Sequence, residues 1–226
     1  MSRPPLFIHI PKNAGTSIKN NLRVISVSEK YVSKYRQDPI HLDPMSSHTL
    51  ASAATSFVAH TPFNLLEKGM VSTFDRKFAV VRNPWARVAS LYNYSQSNTM
   101  KSFKGTWYYE EPISWELFLD RMDSFKMTPN YYWAPPYKHW GNQSDWVMER
   151  GKVKVDILRY ENLKKDLENY FDQSIDLPYM NKGPEVDYRT YYTDEQAEKI
   201  AKWFNYDIQL WGFSFESGAT KNYWTS

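Results

Sequence analysis

Phe7-Ile-His-Ile-Pro-Lys-Asn-Ala-Gly-Thr-Ser17 opens as part of a short apolar run, Pro5 to Ile10, that stops at Pro11. Such a run reads as a buried strand entering a turn. A helix is expected next, because from Thr16 onward Ile18, Leu22 and Ile25 recur at i, i+4 and i+7 as one apolar stripe, with Asn and Lys on the other faces. The turn bears Lys12, Asn13 and Ala14, and the helix begins at Gly15, Thr16 and Ser17. The first N–H groups of a helix have no partner inside it. Combined with a glycine that permits close approach, two hydroxyls and one ammonium, they form a cradle for an anion. The pattern departs from the Walker A sequence GxxxxGK[ST], since Lys12 precedes the glycine and the loop is shorter. Taken alone, the stretch is equally a polar turn with a capping hydroxyl.

Working outward, Lys77 to Val81 (KFAVV) is a continuous apolar run of the kind found in parallel sheets covered on both faces. Arg82, Asn83 and Pro84 follow, then Trp85, Val88, Ala89 and Tyr92 at helical spacing, with Asn83 as N-cap and Pro84 at the first helical position. Arg82 stands where a Walker B protein carries an Asp that holds magnesium. A guanidinium there points to direct, metal-free binding of phosphate, because its planar fork of donors matches phosphate oxygens. Ser90 lies a little over two turns along that helix and reaches a phosphate only along the helix side, not at its tip.

A strand is expected at Ser56 to Ala59, ending at His60, and helices at Ser114 to Met122, Glu161 to Phe171 and Thr193 to Trp211. The last has a Thr193–Gln196 capping box and Gly212 as its stop. Lys154 to Tyr160 reads as a further strand, and residues 26 to 56 as irregular. Strands alternating with helices imply an α/β fold: a P-loop-like three-layer α/β/α arrangement with a central, mainly parallel sheet, in a single domain spanning 1–226.

Composition narrows the function. The chain has 226 residues, 42% hydrophobic, 23% charged and 17% aromatic, which is globular rather than disordered. A net charge of +3, with basic residues scattered among 25 acids, suits a small polyanion site better than nucleic acid. The absence of cysteine excludes disulfides, thiolate nucleophiles and Cys-ligated zinc, and five histidines without an HxxxH or HExxH pair give no metal site. The apolar run in MSRPPLFIHI is too short for a signal peptide or a membrane span, so a soluble, cytoplasmic protein is expected.

PKNAGTS followed by Arg82-Asn-Pro-Trp-Ala-Arg-Val-Ala-Ser90-Leu-Tyr resembles the two cofactor signatures of the sulfotransferase superfamily, in particular the carbohydrate O-sulfotransferase branch and its bacterial relatives. Ser144-Asp-Trp-Val, Asp156-Ile-Leu-Arg-Tyr-Glu-Asn-Leu163, Tyr192-Thr-Asp-Glu and Asp207-Ile-Gln-Leu-Trp-Gly-Phe213 are similar to later family segments in order and spacing, so the resemblance covers nearly the whole chain. It implies sulfuryl transfer from 3′-phosphoadenosine 5′-phosphosulfate (PAPS, leaving PAP) without a metal. It also implies that Lys12, Gly15, Thr16 and Ser17, in one loop with Asn13 and Ala14, hold the 5′-phosphosulfate. Arg82 and Ser90 would then hold the 3′-phosphate, and Asn181-Lys182-Gly183 falls where such enzymes close a loop over the nucleotide.

The chemistry of the step agrees. Charge develops on the bridging oxygen as the phosphosulfate bond breaks, and Lys12 is the candidate cation to stabilise it. A base must take the acceptor's proton, and His60, at its strand end, is the candidate, since a neutral imidazole suits that task near pH 7. His41 and His48 are alternatives if their segment folds over the site, whereas His9 is expected to pack within the first strand. The aromatic clusters at 107–109, 131–133 and 137–140 suit either an acceptor ring or ordinary packing. Arg87, Arg159 and Glu161 read as structural ion-pair residues. The acceptor is expected to be a small molecule or a carbohydrate hydroxyl, the latter by analogy, and no feature sets the oligomeric state. The rival readings are a P-loop-type nucleotide kinase, disfavoured by the missing Walker B acid, a non-catalytic nucleotide- or glycan-binding module, and an interaction protein.

Overall fold

The computed structural model describes residues 3–27, 60–97, 113–126, 141–178 and 186–221. In chain order the elements are β1 (Leu6–Ile8), α1 (Gly15–Asn21), β2 (Ile25–Ser26), α2 (Lys68–Val71), β3 (Lys77–Val81), α3 (Pro84–Ser95), α4 (Trp115–Lys126), α5 (Ser144–Val147), β4 (Met148–Glu149), β5 (Lys152–Val153), β6 (Asp156–Arg159), α6 (Leu163–Phe171), α7 (Asp194–Trp203) and α8 (Asn205–Trp211). Short 3₁₀ turns occupy Phe63–Leu65, Tyr160–Asn162 and Tyr188–Tyr191. The described residues divide into two units, one from 3–81 and 143–178, the other from 82–142 and 186–221. The strand expected at Ser56 to Ala59, most of the irregular 26 to 56 segment with His41 and His48, the three aromatic clusters and Lys182 lie outside the described residues.

The first unit is built on a four-stranded sheet in the order β2-β1-β3-β6, with every neighbouring pair parallel. Leu6 is in register with Ile25 on one side and Lys77 on the other, and Val81 is in register with Arg159. The central strands β1 and β3 are the two continuous apolar runs, and Leu6, Phe7, Ile8, Phe78, Ala79, Val80 and Val81 are all buried. A parallel sheet joined by helical crossovers needs cover on both faces, which explains why these runs do not alternate with polar residues. Phe7, Ile18, Phe78, Val80, Leu158, Leu163, Leu167 and Tyr170 form one core, with the Phe7 and Phe78 rings 5.0 Å apart. Complete burial of a side chain such as Phe78 contributes about 1.5–3 kcal/mol. The parallel sheet with its flanking helices fits the three-layer α/β/α class expected.

Two local expectations change in the first unit. Ile25 does not continue the first helix: α1 ends at Asn21, Leu22 is extended (φ −117°, ψ 148°), and Ile25 enters β2. The β-branched Val24, Ile25 and Val27 favour a strand, and Ile25 happened to fall in helical phase with Ile18 and Leu22. The strand expected from Lys154 begins only at Asp156, and Lys152–Val153 instead pairs antiparallel with Met148–Glu149. Arg150 and Gly151 join that hairpin with φ of 51° and 74°, the two positive values that a tight two-residue turn demands.

In the second unit, Asn83 caps α3 as expected, its Oδ1 accepting from the N–H of Trp85 at 3.0 Å and of Ala86 at 3.2 Å. The helix α4 presents Trp115, Phe118, Leu119 and Met122 to the interior. Trp115 is edge-on to Tyr92 at 5.2 Å and to Tyr192 at 5.0 Å, so much of this unit's core is aromatic. The Thr193–Gln196 capping box is present, and Gly212 ends α8 with φ 69°. The single helix expected from Thr193 to Trp211 is two, because Phe204 leaves helical geometry (φ −112°, ψ 23°). Its side chain is fully buried, so the apolar stripe continues across the break and conceals it.

Candidate functional site: an anion loop and an arginine-led helix

The turn after β1 is strained in a particular way. Lys12 (φ 68°) and Ala14 (φ 62°) are both left-handed, although neither is glycine, and each costs about 1–2 kcal/mol relative to right-handed backbone. Asn13 between them has negative φ, and such sign alternation turns successive amides toward one concave face. Asn13 keeps the turn in this shape. Its buried amide donates to the Val80 carbonyl and to Gln143 Oε1, each at 2.7 Å, which anchors the loop to β3. Ala14, the N-cap residue of α1, provides no side-chain cap. Thr16 is exposed there, Lys12 partly so, and Ser17 is buried.

Gly15 is required by packing as well as by any ligand. A Cβ at this position would lie 1.7 Å from His9 Nε2. His9, expected to pack within its strand, is buried, stacks on Phe7 at 5.5 Å and touches the His60 ring, 4.1 Å between centroids. The Nδ1 atom of His60 lies 2.9 Å from the His9 carbonyl oxygen. A carbonyl only accepts, so Nδ1 carries the proton of the neutral ring and Nε2 is its basic nitrogen. Trp146 fixes the same residue from behind by donating its indole N–H to the His60 carbonyl at 3.0 Å. The first unit therefore brings together Lys12, Asn13, Ala14, Gly15, Thr16, Ser17 and His60. Sequence reasoning missed the supports His9, Gln143 and Trp146, whose partners are distant in the chain.

Arg82 and Ser90 belong to the second unit, and both are partly exposed. The tip of α3 is already satisfied: Pro84 has no N–H, Asn83 Oδ1 takes those of Trp85 and Ala86, and the Asn83 carbonyl takes that of Arg87 at 2.9 Å. The tip amides of α3 are therefore already paired, which leaves its side chains as the donors this helix can offer. The other half of the Asn83 amide donates to the carbonyls of Ser214 and Ser217, at 2.8 and 2.9 Å, so one side chain both starts α3 and secures residues 214–217. Tyr192 donates to the Trp85 carbonyl at 2.8 Å. Burial raises its phenol pKa well above the ordinary value, and the nearby Arg82 charge offsets only part of that rise. Arg87 is fully buried and donates to the Gly141 carbonyl at 2.9 Å.

In the first unit Arg159 forms a two-pronged pair with Asp166, at 2.8 and 3.0 Å, and so has the structural role expected of it. No group of three or more His, Cys, Asp or Glu able to hold a metal occurs among the described residues, and none of their helices is long and apolar enough to cross a membrane.

A family model described as Sulfotransferase family matches residues 5–214. A search of curated proteins gives no match. The matched span takes in the Lys12 loop, β3, the capped start of α3 and the helices α7 and α8, and by it this chain belongs to the sulfotransferase family.

Proposed function

We propose that this protein transfers a sulfuryl group from PAPS to an acceptor hydroxyl, with a small molecule or carbohydrate as acceptor. When bound, the phosphosulfate supplies the sulfuryl group and a phosphate leaving group. The observation that carries the reading is the turn from Lys12 to Ala14, two left-handed non-glycine residues leading into a helix whose N-cap residue, Ala14, offers no side-chain cap. Strain of this kind persists only where surrounding structure enforces it, and here the buried Asn13 amide does so. The amides and hydroxyls of Gly15, Thr16 and Ser17 hold the 5′ anionic end. The Lys12 ammonium opposes the negative charge that grows as the leaving group departs, so it contributes most in the transition state.

His60 acts as the base. With Nδ1 donating to the His9 carbonyl, Nε2 receives the acceptor proton, and the imidazolium that results remains hydrogen-bonded on the Nδ1 side. Arg82 and Ser90 hold the 3′-phosphate through side-chain donors, since α3's own amides are already paired. Lys182 is assigned to the nucleotide by family resemblance alone. The chain is taken as one functional domain, a reading supported by a family match over residues 5–214 that includes residues of both units.

Transfer of radiolabelled sulfate from PAPS to a panel of glycans and small alcohols tests the proposal. Labelled product that forms without added metal and disappears in Lys12→Ala supports it. A wild type that binds PAP yet labels no acceptor in the panel and does not hydrolyse PAPS would favour the non-catalytic binding module.

A further inference from the structure

The sheet has a second charged feature at its other edge. All four strands run in the same direction, so the residues just before β1, β2 and β3, including Pro5, Arg23 and Arg76, gather at one edge while the Lys12 loop leaves β1 at the opposite edge. Strands of three to five residues put about 10–17 Å between those edges. A cavity of about 340 Å³ lies at the first edge, lined by Arg3, Arg23 and Arg76 with Pro5, Leu22 and Phe171 among its walls, and no acidic residue lines it among the described residues.

Two of the three guanidinium groups are each held by a ring face and a backbone carbonyl. Arg3 lies 3.7 Å over the Phe74 ring and donates to the Thr73 carbonyl at 3.0 Å. Arg76 lies 4.0 Å over the Tyr170 ring and donates to the Tyr170 carbonyl. Backbone hydrogen bonds from Leu6 N–H to the Arg76 carbonyl at 3.0 Å and from Ile25 N–H to the Pro5 carbonyl at 2.9 Å fix the rim. Carbonyls and ring faces orient a guanidinium without neutralising it, and each group keeps further N–H donors for a guest. The like charges of Arg3 and Arg76 around one hollow repel one another, and an oxyanion between them relieves that repulsion. The volume lies near the lower end of small-ligand pockets, about 300–1,000 Å³, and is roomier than a bare oxyanion needs.

We propose that this cavity is a second anion site, separate from the Lys12 loop. It takes the phosphate or sulfate group of a small monoester on its arginines, with the organic part resting on Pro5, Leu22 and Phe171. The inference does not depend on the identity of the sulfuryl donor. The test is calorimetric titration of phenyl phosphate, with inorganic phosphate as the second arm, into wild type, Lys12→Ala and the double variant Arg23→Gln/Arg76→Gln.

Phenyl phosphate is expected to bind Lys12→Ala and wild type alike, to bind the double variant at least tenfold more weakly, and to bind wild type more tightly than inorganic phosphate does. PAP affinity in the double variant should stay within twofold of wild type. Double-variant affinity for phenyl phosphate within twofold of wild type overturns the site, and equal affinity for the two probes overturns the monoester assignment in favour of a free oxyanion. Because Arg76 stacks on Tyr170, its loss risks misfolding; Arg23→Gln, at an exposed position, is then used alone, with a loss of threefold or more expected and no loss overturning the proposal.

Discussion

Replacing Gly15 with alanine drives a methyl group into the His9 imidazole, 1.7 Å from Nε2, 2.0 Å from Cδ2 and 2.4 Å from Cε1. Comfortable carbon contacts lie near 3.5–4.0 Å, so the ring must retreat by about 2 Å. It has little room, being buried between Phe7 and His60 with ring centroids at 5.5 and 4.1 Å. Overpacking of this kind costs about 1–3 kcal/mol, and exchanging glycine for alanine in a helix returns at most about 1 kcal/mol. Taking a cost of about 2–3 kcal/mol for so close an approach, the net loss of about 1–2 kcal/mol should lower Tm by about 2–8 °C in a chain of this size. Thermal unfolding of Gly15→Ala, His9→Ala and the double variant measures it.

If the clash is the cause, removing the ring makes room for the methyl. The double variant should then lose at least about 1 kcal/mol less than the sum of the single losses. A Gly15→Ala protein that melts at or above wild type, or strictly additive losses, would refute the reasoning. Nucleotide binding measured on the same proteins separates the two reasons for glycine: stability recovered without affinity shows that the ligand also needs the bare backbone.

Asn83→Ala removes the cap of α3 and one of the donors to each of the Ser214 and Ser217 carbonyls, so urea unfolding should show a loss of about 1–3 kcal/mol. Asn83→Asp keeps the accepting oxygen but not the donors and should lose less. Burial raises the phenol pKa values of Tyr170 and Tyr192 above the ordinary 10.0, so the folded state holds these protons more tightly than the unfolded chain. Their contribution is complete below pH 10 and declines as pH rises from there through the folded values, by about 1.4 kcal/mol per pH unit for each phenol. Unfolding measured between pH 9 and 11.5 should follow that decline, and Tyr192→Phe should make it shallower. His60→Gln should reduce labelled-sulfate transfer by about 10²- to 10⁴-fold while leaving PAP affinity within twofold of wild type.

Features set by neighbours in the chain were legible beforehand. The strand, turn and helix from Phe7 onward, the KFAVV strand, the Asn83–Pro84 helix start and the Thr193–Gln196 capping box all depend on contacts within a few residues, and each is present. Features set by distant partners were not. Ile25 and Ser26 pair along β1, and the place of Ile25 in a helical stripe with Ile18 and Leu22 masked that strand. The Arg150–Gly151 hairpin is too short to show an alternating pattern, and the break at Phe204 preserves apolar phase on both sides.

The loop's residue types were readable, but its supports were not. The Asn13 amide reaches Val80 and Gln143, His9 lies beneath Gly15, and Trp146 backs His60, contacts that no local pattern announces. For the same reason Asn83 read as a cap and not as the anchor of residues 214–217.

Calorimetric titration of PAP into wild type, Lys12→Ala and Arg82→Ala, with ATP and magnesium as the comparison ligand, tests the central claim most directly. Charge-assisted hydrogen bonds of about 1.5–3 kcal/mol predict metal-independent binding that weakens about ten- to hundredfold in Arg82→Ala. Absence of PAP binding, or a preference for ATP with magnesium, would contradict the account and favour the kinase reading.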